Sequence, residues 1–385
     1  CEQVEDPKLA KGLVKREVIR VVTPGTNLDV QSLEASKNNY LMCIAYTSDG
    51  IGISAADVTT GDYYVTEVED LRKLKDELMK YEPSEIICNE AFLVSGYDVE
   101  DLKSRLHMSV SSLESHMFDD DGCRRILMRH FKVNTLIGLG VEEFPTGILA
   151  AGALLQYLYD TQKTDLEHFT HISPYLTSKY MLLDSSTRRN LELTETLREK
   201  QKRGSLLWVL DKTKTAMGGR LLRNYIEQPL IDKEEMEKRL DAIQELNQDS
   251  ISRDEIREYL NPVYDLERLL SKVTYKTANP RDLIAFRNSL QMLPPIKTVL
   301  AGFQKEELAA IREEIDGLED IYQLIDEAIV EEPPISIREG GMIKDQFDET
   351  IDHLRAAKHD GKQWLVQLEE EDRERTGIKN LKIKK

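Results

Sequence analysis

The period of the apolar residues changes near residue 146, and this change decides which folds the chain can adopt. Before it, the apolar runs "YLMCIAY" (40–46), "IGISAAD" and "YYVTEV" are separated by the turn sequences "SDG" and "TTGD". This pattern predicts a three-stranded meander. The sequence "DLRKLKDELMKY" then predicts a helix with Asp70 as its N-cap, and "EIICN" predicts another buried strand. We therefore expect residues 27 to about 135 to form a compact α/β domain.

From Thr146 onward the apolar spacing is that of helices. The stretch "GILAAGALLQYLYDTQ" is nearly all apolar, so it predicts a helix that is buried on most sides. "SSTRRNLELTETLRE" and "TAMGGRLLRNYIEQP" predict further helices, the second ended by Pro229. Asp232 and Glu235 form a capping arrangement that begins another. The predicted fold class is thus α/β plus all-α.

A long helix is predicted near the end of the sequence. Its narrow apolar seam follows a 3.5-residue repeat with Lys358 and Asp372 as polar members, and the other seam positions are Phe347, Ile351, Leu354, Gly361, Leu365 and Leu368. Gly377 is expected to end this helix in the left-handed conformation. We expect the helix to swing as a unit about Gly340 and Gly341. The stretch "LKIKK" that follows predicts a strand with one basic face.

The charge of the chain limits how it can meet nucleic acid. The formal net charge is −18, and charged residues make up 32% of the sequence, which argues against general affinity for polyanions. Contact with DNA phosphates would need local basic clusters. The main candidates are Lys379, Lys382, Lys384 and Lys385, with a solvated edge strand as an equal alternative. Weaker candidates, for which a solvated surface is the better interpretation, are Arg198, Lys200, Lys202 and Arg203.

Signatures of catalysis or cofactor binding are weak. The sequence contains no G-x-x-x-x-G-K-[ST], G-x-S-x-G or H-E-x-x-H. "AMGGR" lacks the preceding strand and the lysine of a phosphate loop, so close helix packing explains its glycines better. His168 and His171 are expected to be solvated loop histidines rather than metal ligands. The scattered cysteines, Cys1, Cys43, Cys88 and Cys123, are expected to be reduced thiols. We therefore predict no catalytic, cofactor or metal residues.

The α/β segment raises the possibility of a metal-dependent nuclease, because its strand pattern is similar to a ribonuclease-H-like meander. Such enzymes hold two metal ions with carboxylates, one of which projects from the first strand. The first strand here contains no acid. Asp57 and Asp62 lie at a strand end and a strand start, and 119–121 is better interpreted as the start of a helix. Nuclease activity is therefore disfavoured.

Several stretches together resemble the MutS family of bacterial DNA mismatch repair proteins. They lie in the family's order and span almost the whole chain: "CEQVEDP…KGLVKREVIRVVTPGT", "DVTTGDYYVTE", "AAGALLQYLYDTQKT", "LLDSSTRRNLELTETLREKQKRGSLLWVLDKTKTAMGGRLLRNYIEQPL" and "TGIKNLKIK". The resemblance implies that 1–16 is the tail of a mismatch-binding domain. It implies that 17–135 is a ribonuclease-H-like connector, 136–340 a helical core, and 341–385 a lever helix with the start of a clamp.

The resemblance also implies a biological setting. MutS proteins are bacterial, cytoplasmic dimers that encircle mismatched duplex DNA, bind ATP and Mg²⁺ in an ATPase domain, and recruit MutL. The resemblance places the family's N-terminal Phe-x-Glu motif upstream of Cys1 and its Walker motifs beyond Lys385, so we expect a fragment truncated at both ends. It is expected to be no enzyme by itself, to hold no cofactor or membrane segment, and to transmit signals between DNA-binding and ATPase domains. The alternative is a docking scaffold for MutL with little DNA contact.

Overall fold

The computed structural model describes residues 2–3, 12–29, 32–104, 106 and 108–378, with the backbone alone at 2, 3, 359, 360, 362–365, 367 and 372. Cys1, Lys379, Lys382, Lys384 and Lys385 lie outside the described residues. The strands are β1 (Glu2–Gln3), β2 (Arg16–Glu17), β3 (Leu41–Tyr46), β4 (Ile51–Asp57), β5 (Asp62–Val68), β6 (Glu85–Cys88), β7 (Ser109–Ser112) and β8 (Ser173–Pro174).

The helices follow in chain order. They are α1 (Leu71–Tyr81), α2 (Glu90–Leu93), α3 (Val99–Ser104), α4 (Asp120–His130), α5 (Pro145–Gln162), α6 (Ser185–Asn190), α7 (Leu206–Leu210), α8 (Ala216–Glu227), α9 (Lys233–Gln248), α10 (Ser250–Leu260), α11 (Leu266–Thr274), α12 (Pro280–Leu290), α13 (Leu293–Leu300), α14 (Glu306–Glu314), α15 (Glu319–Ala328) and α16 (Glu349–Thr376).

A mixed six-stranded sheet lies at the centre of the α/β part, in the order β7-β6-β3-β4-β5-β8. β3, β4 and β5 pair antiparallel with short turns between them, which confirms the predicted meander. β6, β7 and β8 join in parallel. The predicted cap of α1 is also confirmed, because the Asp70 carboxylate accepts hydrogen bonds from the backbone N–H groups of Arg72 and Lys73.

Both faces of the sheet are covered, which is why β3 and β4 are apolar without alternation. α4 and α5 pack on one face, and the residues buried on the other face include Leu74 and Leu78 of α1. α5 is buried on most sides, as predicted. It approaches β4 so closely that a Cβ at Gly52 would lie 1.9 Å from the Thr146 carbonyl oxygen. The helix that the sequence assigned to the all-helical part is thus one layer of the α/β fold.

Three cysteines lie in these layers. Cys43, Cys88 and Cys123 are buried free thiols, which confirms the prediction for these positions. Burial raises the pKa of Cys88 to about 11 and that of Cys123 to about 12. The predicted helix start at 119–121 is also confirmed, because Asp119 caps α4 through the N–H of Gly122.

Beyond the sheet the chain is mainly helical. α9, α10, α13 and α14 pack around a small core that contains Ile296, Leu300 and Phe303. The prediction of one helix over 185–199 is wrong, because α6 ends at Asn190. Glu192 and Lys200 have positive φ angles of 48° and 49°, and the Glu192 carboxylate accepts a hydrogen bond from the N–H of Leu197. These local turns replace the helix.

The described residues divide into two compact units. The larger contains the residues up to 278 together with 288–317, and the smaller contains 279–287 together with 318–378. The core of the smaller unit is formed by Ile325, Ala328 and Ile329. Its long helix α16 has 28 residues and ends at Gly377, whose φ of 72° confirms the predicted left-handed cap.

The structure argues against a hinge at Gly340 and Gly341. Both glycines have positive φ, but the backbone directly after them is tied within the same unit. Ile343 pairs with Ile329, and the N–H of Lys344 donates to the carbonyl of Ala328 at 2.8 Å. Rotation of α16 about the glycine pair would have to break this pairing. Among the described residues, no helix combines the length and the apolar character needed to cross a membrane.

Candidate functional site

The candidate site is the place where α8 and α11 meet the end of the sheet. On the sheet side it consists of the segment 34–39, which leads into β3, and of Val58, which follows β4. On the helix side it consists of Arg220 on α8 and of Arg268 and Ser271 on α11. We call this arrangement the junction. All of it lies in the larger unit.

Arg220 connects three parts of the junction. Its side chain is only 4% exposed, and its guanidinium forms a bidentate pair with the Asp265 carboxylate, with both N···O distances at 2.7 Å. It also donates to the Glu267 carboxylate at 2.5 Å and to the Ala35 carbonyl at 2.8 Å. A planar guanidinium has the donor geometry for all of these contacts at once. Arg220 therefore fixes α8 and the start of α11 against the segment 34–39.

α11 turns a polar side toward the sheet. Arg268 is 2% exposed and donates to the carbonyl oxygens of Glu34 at 3.1 Å and Lys37 at 2.8 Å. The Ser271 hydroxyl donates to the Val58 carbonyl at 2.9 Å. The apolar side chains Leu270 and Val273 of the same helix are exposed. Leu269 is buried as well, so the buried side of α11 combines an apolar side chain with polar groups that satisfy sheet-side carbonyls.

The pKa values of the charged side chains in the junction are shifted in different directions. Burial lowers the pKa of Arg220, but the hydrogen bonds and charges of Asp265 and Glu267 outweigh burial, so the pKa lies above its usual value. The pKa of Arg268 is lowered by burial and by the charge of Arg220. Burial raises the pKa of Glu267. The junction thus holds two buried cations: Arg220 hydrogen-bonds to the Asp265 carboxylate at 2.7 Å, whereas the Nε of Arg268 lies 3.7 Å from the same carboxylate.

Asp57 and Asp62, the carboxylates tested for nuclease chemistry, are engaged in hydrogen bonds at the strand ends. Asp57 is fully buried and accepts from the backbone N–H of Asn39 at 2.9 Å and from both the N–H and the hydroxyl of Thr59. The Asn38 amide donates to both carboxylates, at 2.9 and 2.8 Å. These bonds join the turn after β4 to the segment before β3. Across the described ranges, no group of three or more His, Cys, Asp or Glu residues is placed to hold a metal ion.

The expectation for the two loop histidines is wrong for His168. His171 is exposed, but His168 is 7% exposed and lies beside Tyr275, with ring centroids 5.0 Å apart. Neither ring nitrogen of His168 has a hydrogen-bond partner among the described residues, nor has the Tyr275 hydroxyl. Burial lowers the pKa of His168 to about 4. His168 is therefore a neutral core residue next to the junction.

The weaker basic candidates are partly available to a phosphate. Arg198, Lys200 and Arg203 are exposed on the turns that follow α6. Lys202 is half-buried, and its amine pairs with the Asp211 carboxylate at 2.5 Å. Burial raises the pKa of Asp211, but hydrogen bonds from Lys202 and Thr213 outweigh it and lower the pKa. The structure thus leaves three of these four side chains facing solvent.

A cleft of about 250 Å³ adjoins the same turns. Its lining includes Lys200, Arg188, Glu82 and Glu227. Burial raises the pKa of Glu227 to about 7, although the charge of Arg223 opposes the shift. Because charges of both signs line the cleft, it is not selective for phosphate. Contact between Lys200 and DNA would therefore take place on the solvent-exposed surface rather than inside the cleft.

The glycine pair of "AMGGR" has a packing role. Gly218 and Gly219 lie in the first turn of α8, where the Thr215 hydroxyl caps the helix. A Cβ at Gly219 would lie 3.3 Å from the Cβ of Ser36 in the junction. Close packing was predicted correctly, but the neighbour is the segment 34–39 rather than another helix.

Sequence reasoning missed the junction arginines. Arg220 and Arg268 occur at ordinary polar positions of predicted helices, where a solvated side chain is the usual outcome. The partners that bury them are backbone carbonyls about 185 and 231 residues away along the chain. A backbone carbonyl that lacks a partner has no signature in the sequence. The local pattern therefore gave no signal for this site.

Comparison with known proteins gives three adjoining family matches. The models for MutS domain I, MutS domain II and MutS domain III match residues 1–31, 39–172 and 186–382. The sheet side of the junction at Val58 thus falls in the domain II match, and α8 and α11 fall in the domain III match.

Relatives confirm the resemblance along the full chain. Proteins named DNA mismatch repair protein MutS are 61% identical in Lachnoclostridium phytofermentans, 48% in Ruminiclostridium cellulolyticum and 47% in Acetivibrio thermocellus, each over 100% of this chain. The chain spans 41% to 44% of the length of these relatives. Because the domain III match alone covers more than half of the 385 residues, the chain belongs to the MutS family.

Proposed function

We propose that this chain acts in DNA mismatch repair, as the part of a mismatch-recognition protein that transmits a change of state between DNA contacts and ATPase elements. The names of its relatives and the three adjoining domain matches support this proposal. Mismatched duplex DNA, MutL and a second copy of the protein are its proposed partners, in the bacterial cytoplasm.

The junction is the observation that carries the proposal. Buried arginines of the domain III match donate to carbonyls of the segment that leads into the domain II match, and the Ser271 hydroxyl donates to the carbonyl of Val58 within the domain II match. Apolar contacts allow sliding, whereas hydrogen bonds from a planar guanidinium to backbone carbonyls depend on both direction and distance. An element with discrete arrangements is what coupling between distant sites requires. The junction thus has the properties of a switchable connection.

The proposed domain roles follow the family. We assign 1–16 to the end of the mismatch-binding domain, the α/β fold from residue 17 to a ribonuclease-H-like connector, the helical part up to 340 to the core and 341–385 to the lever. α5 and β8 go with the connector rather than with the core, because they belong to the layers of the sheet. The antiparallel β3–β4–β5 meander with β6 and β7 added in parallel supports the connector assignment. The length of α16 supports the lever assignment. ATP hydrolysis is not assigned to these residues, because they contain no G-x-x-x-x-G-K-[ST].

DNA contact is tested by binding of the 385-residue chain to matched and mismatched duplexes across a salt series. We expect weak binding that does not distinguish the mismatch and falls steeply with salt. Replacing Arg198, Lys200 and Arg203 by Ala should lower the salt slope by roughly one for each phosphate that is no longer neutralised. The control, with the same charge change elsewhere, replaces Lys233, Lys305 and Arg312 by Ala. No binding at low salt would instead favour the scaffold that docks MutL.

Transmission is tested by amide hydrogen exchange of the same chain with and without duplex DNA. If the junction responds to DNA, the exchange rates of 34–39 and 266–275 should change when DNA binds. Residues of α14 are the internal reference. Unchanged exchange at the junction under conditions in which DNA is bound would contradict the transmission role.

A further inference from the structure

The two edges of the central sheet differ in how strongly they resist pairing with a further strand. At one edge, β8 is only two residues long and contains Pro174, both of which discourage another strand from pairing. At the other edge, β7 has the sequence "SVSS", without proline, glycine or charge. Among the described strands, none lies beyond β7. Ser109, Ser111 and Ser112 are exposed.

The hydrogen-bond pattern shows which backbone groups of β7 face outward. The N–H of Ser109 donates to the Ser84 carbonyl at 3.1 Å, and the N–H of Leu113 donates to the Cys88 carbonyl at 2.8 Å. In a parallel pair such bonds come from alternate residues. The N–H and C=O groups of Val110 and Ser112 therefore point away from β6, toward the open edge.

The charged residues that flank β7 in the sequence favour a positively charged partner. Residues 98–121 contain seven acidic and two basic side chains. Glu114, two residues beyond the strand, is largely exposed, with its carboxylate 3.2 Å from the Nδ1 of the exposed His116, and Asp121 is exposed as well. A second copy of this acidic chain would be repelled at this edge, whereas a positively charged segment would be attracted.

We propose that β7 is a docking edge for an extended, lysine- or arginine-flanked segment of a partner protein, which adds to the sheet as a seventh strand. Backbone hydrogen bonds to Val110 and Ser112 hold the segment, and Glu114 and Asp121 attract its basic residues. This is strand addition, in which the backbone supplies affinity and the flanking side chains supply selectivity. The inference is independent of the DNA-contact proposal.

The probe is a fluorescein-labelled synthetic peptide of six alternating Val and Thr residues with two lysines at each end. Its binding to the 385-residue chain is measured by fluorescence anisotropy. Val110→Pro should weaken binding about tenfold, because it removes one outward N–H and leaves its partner unpaired. The bonds from β7 to β6 do not use this N–H, so the sheet should keep its stability. Val110→Thr, which keeps the N–H, is the matched control and should bind normally.

Two further measurements test the proposal even if Val110→Pro does not fold. A peptide with N-methylated central residues should not bind the unmodified chain. Glu114→Lys should weaken binding several-fold, whereas Glu313→Lys on α14 should have no effect. Absence of binding by the unmodified peptide, or equal binding of the N-methylated peptide, would overturn the proposal. Self-association of the chain that Val110→Pro abolishes would also overturn it, since the occupant would then be a second copy.

Discussion

At the scale of single residues, the junction depends on buried arginines whose partners would remain uncompensated without them. Arg220→Ala removes the guanidinium that hydrogen-bonds to Asp265 and Glu267, and leaves Asp265 with the Nε of Arg268 at 3.7 Å. Breaking a buried pair from one side typically costs about 3–5 kcal/mol, so we expect this loss in the unfolding of the larger unit, measured by urea titration. Arg312→Ala removes a surface pair with Glu313 and should change the free energy of unfolding by less than about 0.5 kcal/mol. Equal effects of both substitutions would contradict this account.

A second residue-scale prediction concerns His168 and acid. Its pKa falls from the usual value of 6.5 to about 4 on folding. As the pH decreases from 6.5 to 4, His168 becomes protonated in the unfolded chain but stays neutral in the folded chain. The free energy of unfolding should therefore fall over this range, by about 3 kcal/mol from this group. His168→Phe removes this contribution without loss of a described hydrogen bond. Denaturation midpoints measured between pH 4 and 8 test this prediction. If the stability of His168→Phe falls with decreasing pH as steeply as that of the unmodified chain, the prediction is contradicted.

At the scale of elements, two helix glycines should respond in opposite ways to the same change. Gly152 on α5 faces α4 so closely that an added Cβ would lie 2.3 Å from the Cβ of Cys123. Gly152→Ala should cost about 2–3 kcal/mol by overpacking. Within the described part of the chain, no atom lies within 4 Å of such a Cβ at Gly361 on α16, so Gly361→Ala should stabilise α16 by about 1 kcal/mol. Thermal melting of both variants tests these two predictions. If both substitutions raise or both lower the melting temperature, packing around the glycine does not decide the outcome.

The same scale shows why the sequence predicted some elements and missed others. β3, β4, α1 and α5 were predicted because burial of apolar side chains is recorded directly in their periodicity. The start of α4 at Asp119 and the end of α16 at Gly377 were predicted because caps have local chemistry. The orientation of α11 was not, because Arg268 and Ser271 are held by carbonyls of Lys37 and Val58 from a distant part of the chain. Burial of His168 was missed for the same reason, since Tyr275 covers it.

At the scale of the whole molecule, the two compact units differ greatly in what holds each together. The larger unit has apolar cores on both faces of its sheet, and each contains many fully buried side chains. The smaller has only Ile325, Ala328 and Ile329 as buried core residues among those described, supported by half-buried neighbours. Buried apolar area is the main source of folding free energy. Calorimetry should therefore resolve two transitions, with the smaller unit unfolding at the lower temperature.

Core substitutions assign these transitions, because each unit should respond only to a cavity in its own core. Ile329→Ala creates a cavity in the smaller unit and Leu154→Ala creates one in the larger, and such changes cost about 2–5 kcal/mol. Ile329→Ala should lower the first transition and leave the second in place, and Leu154→Ala should do the reverse. A single transition that both substitutions shift would mean that the units fold as one cooperative body. Separate transitions would mean that a change in one unit can leave the other folded, which agrees with the proposed role in transmission.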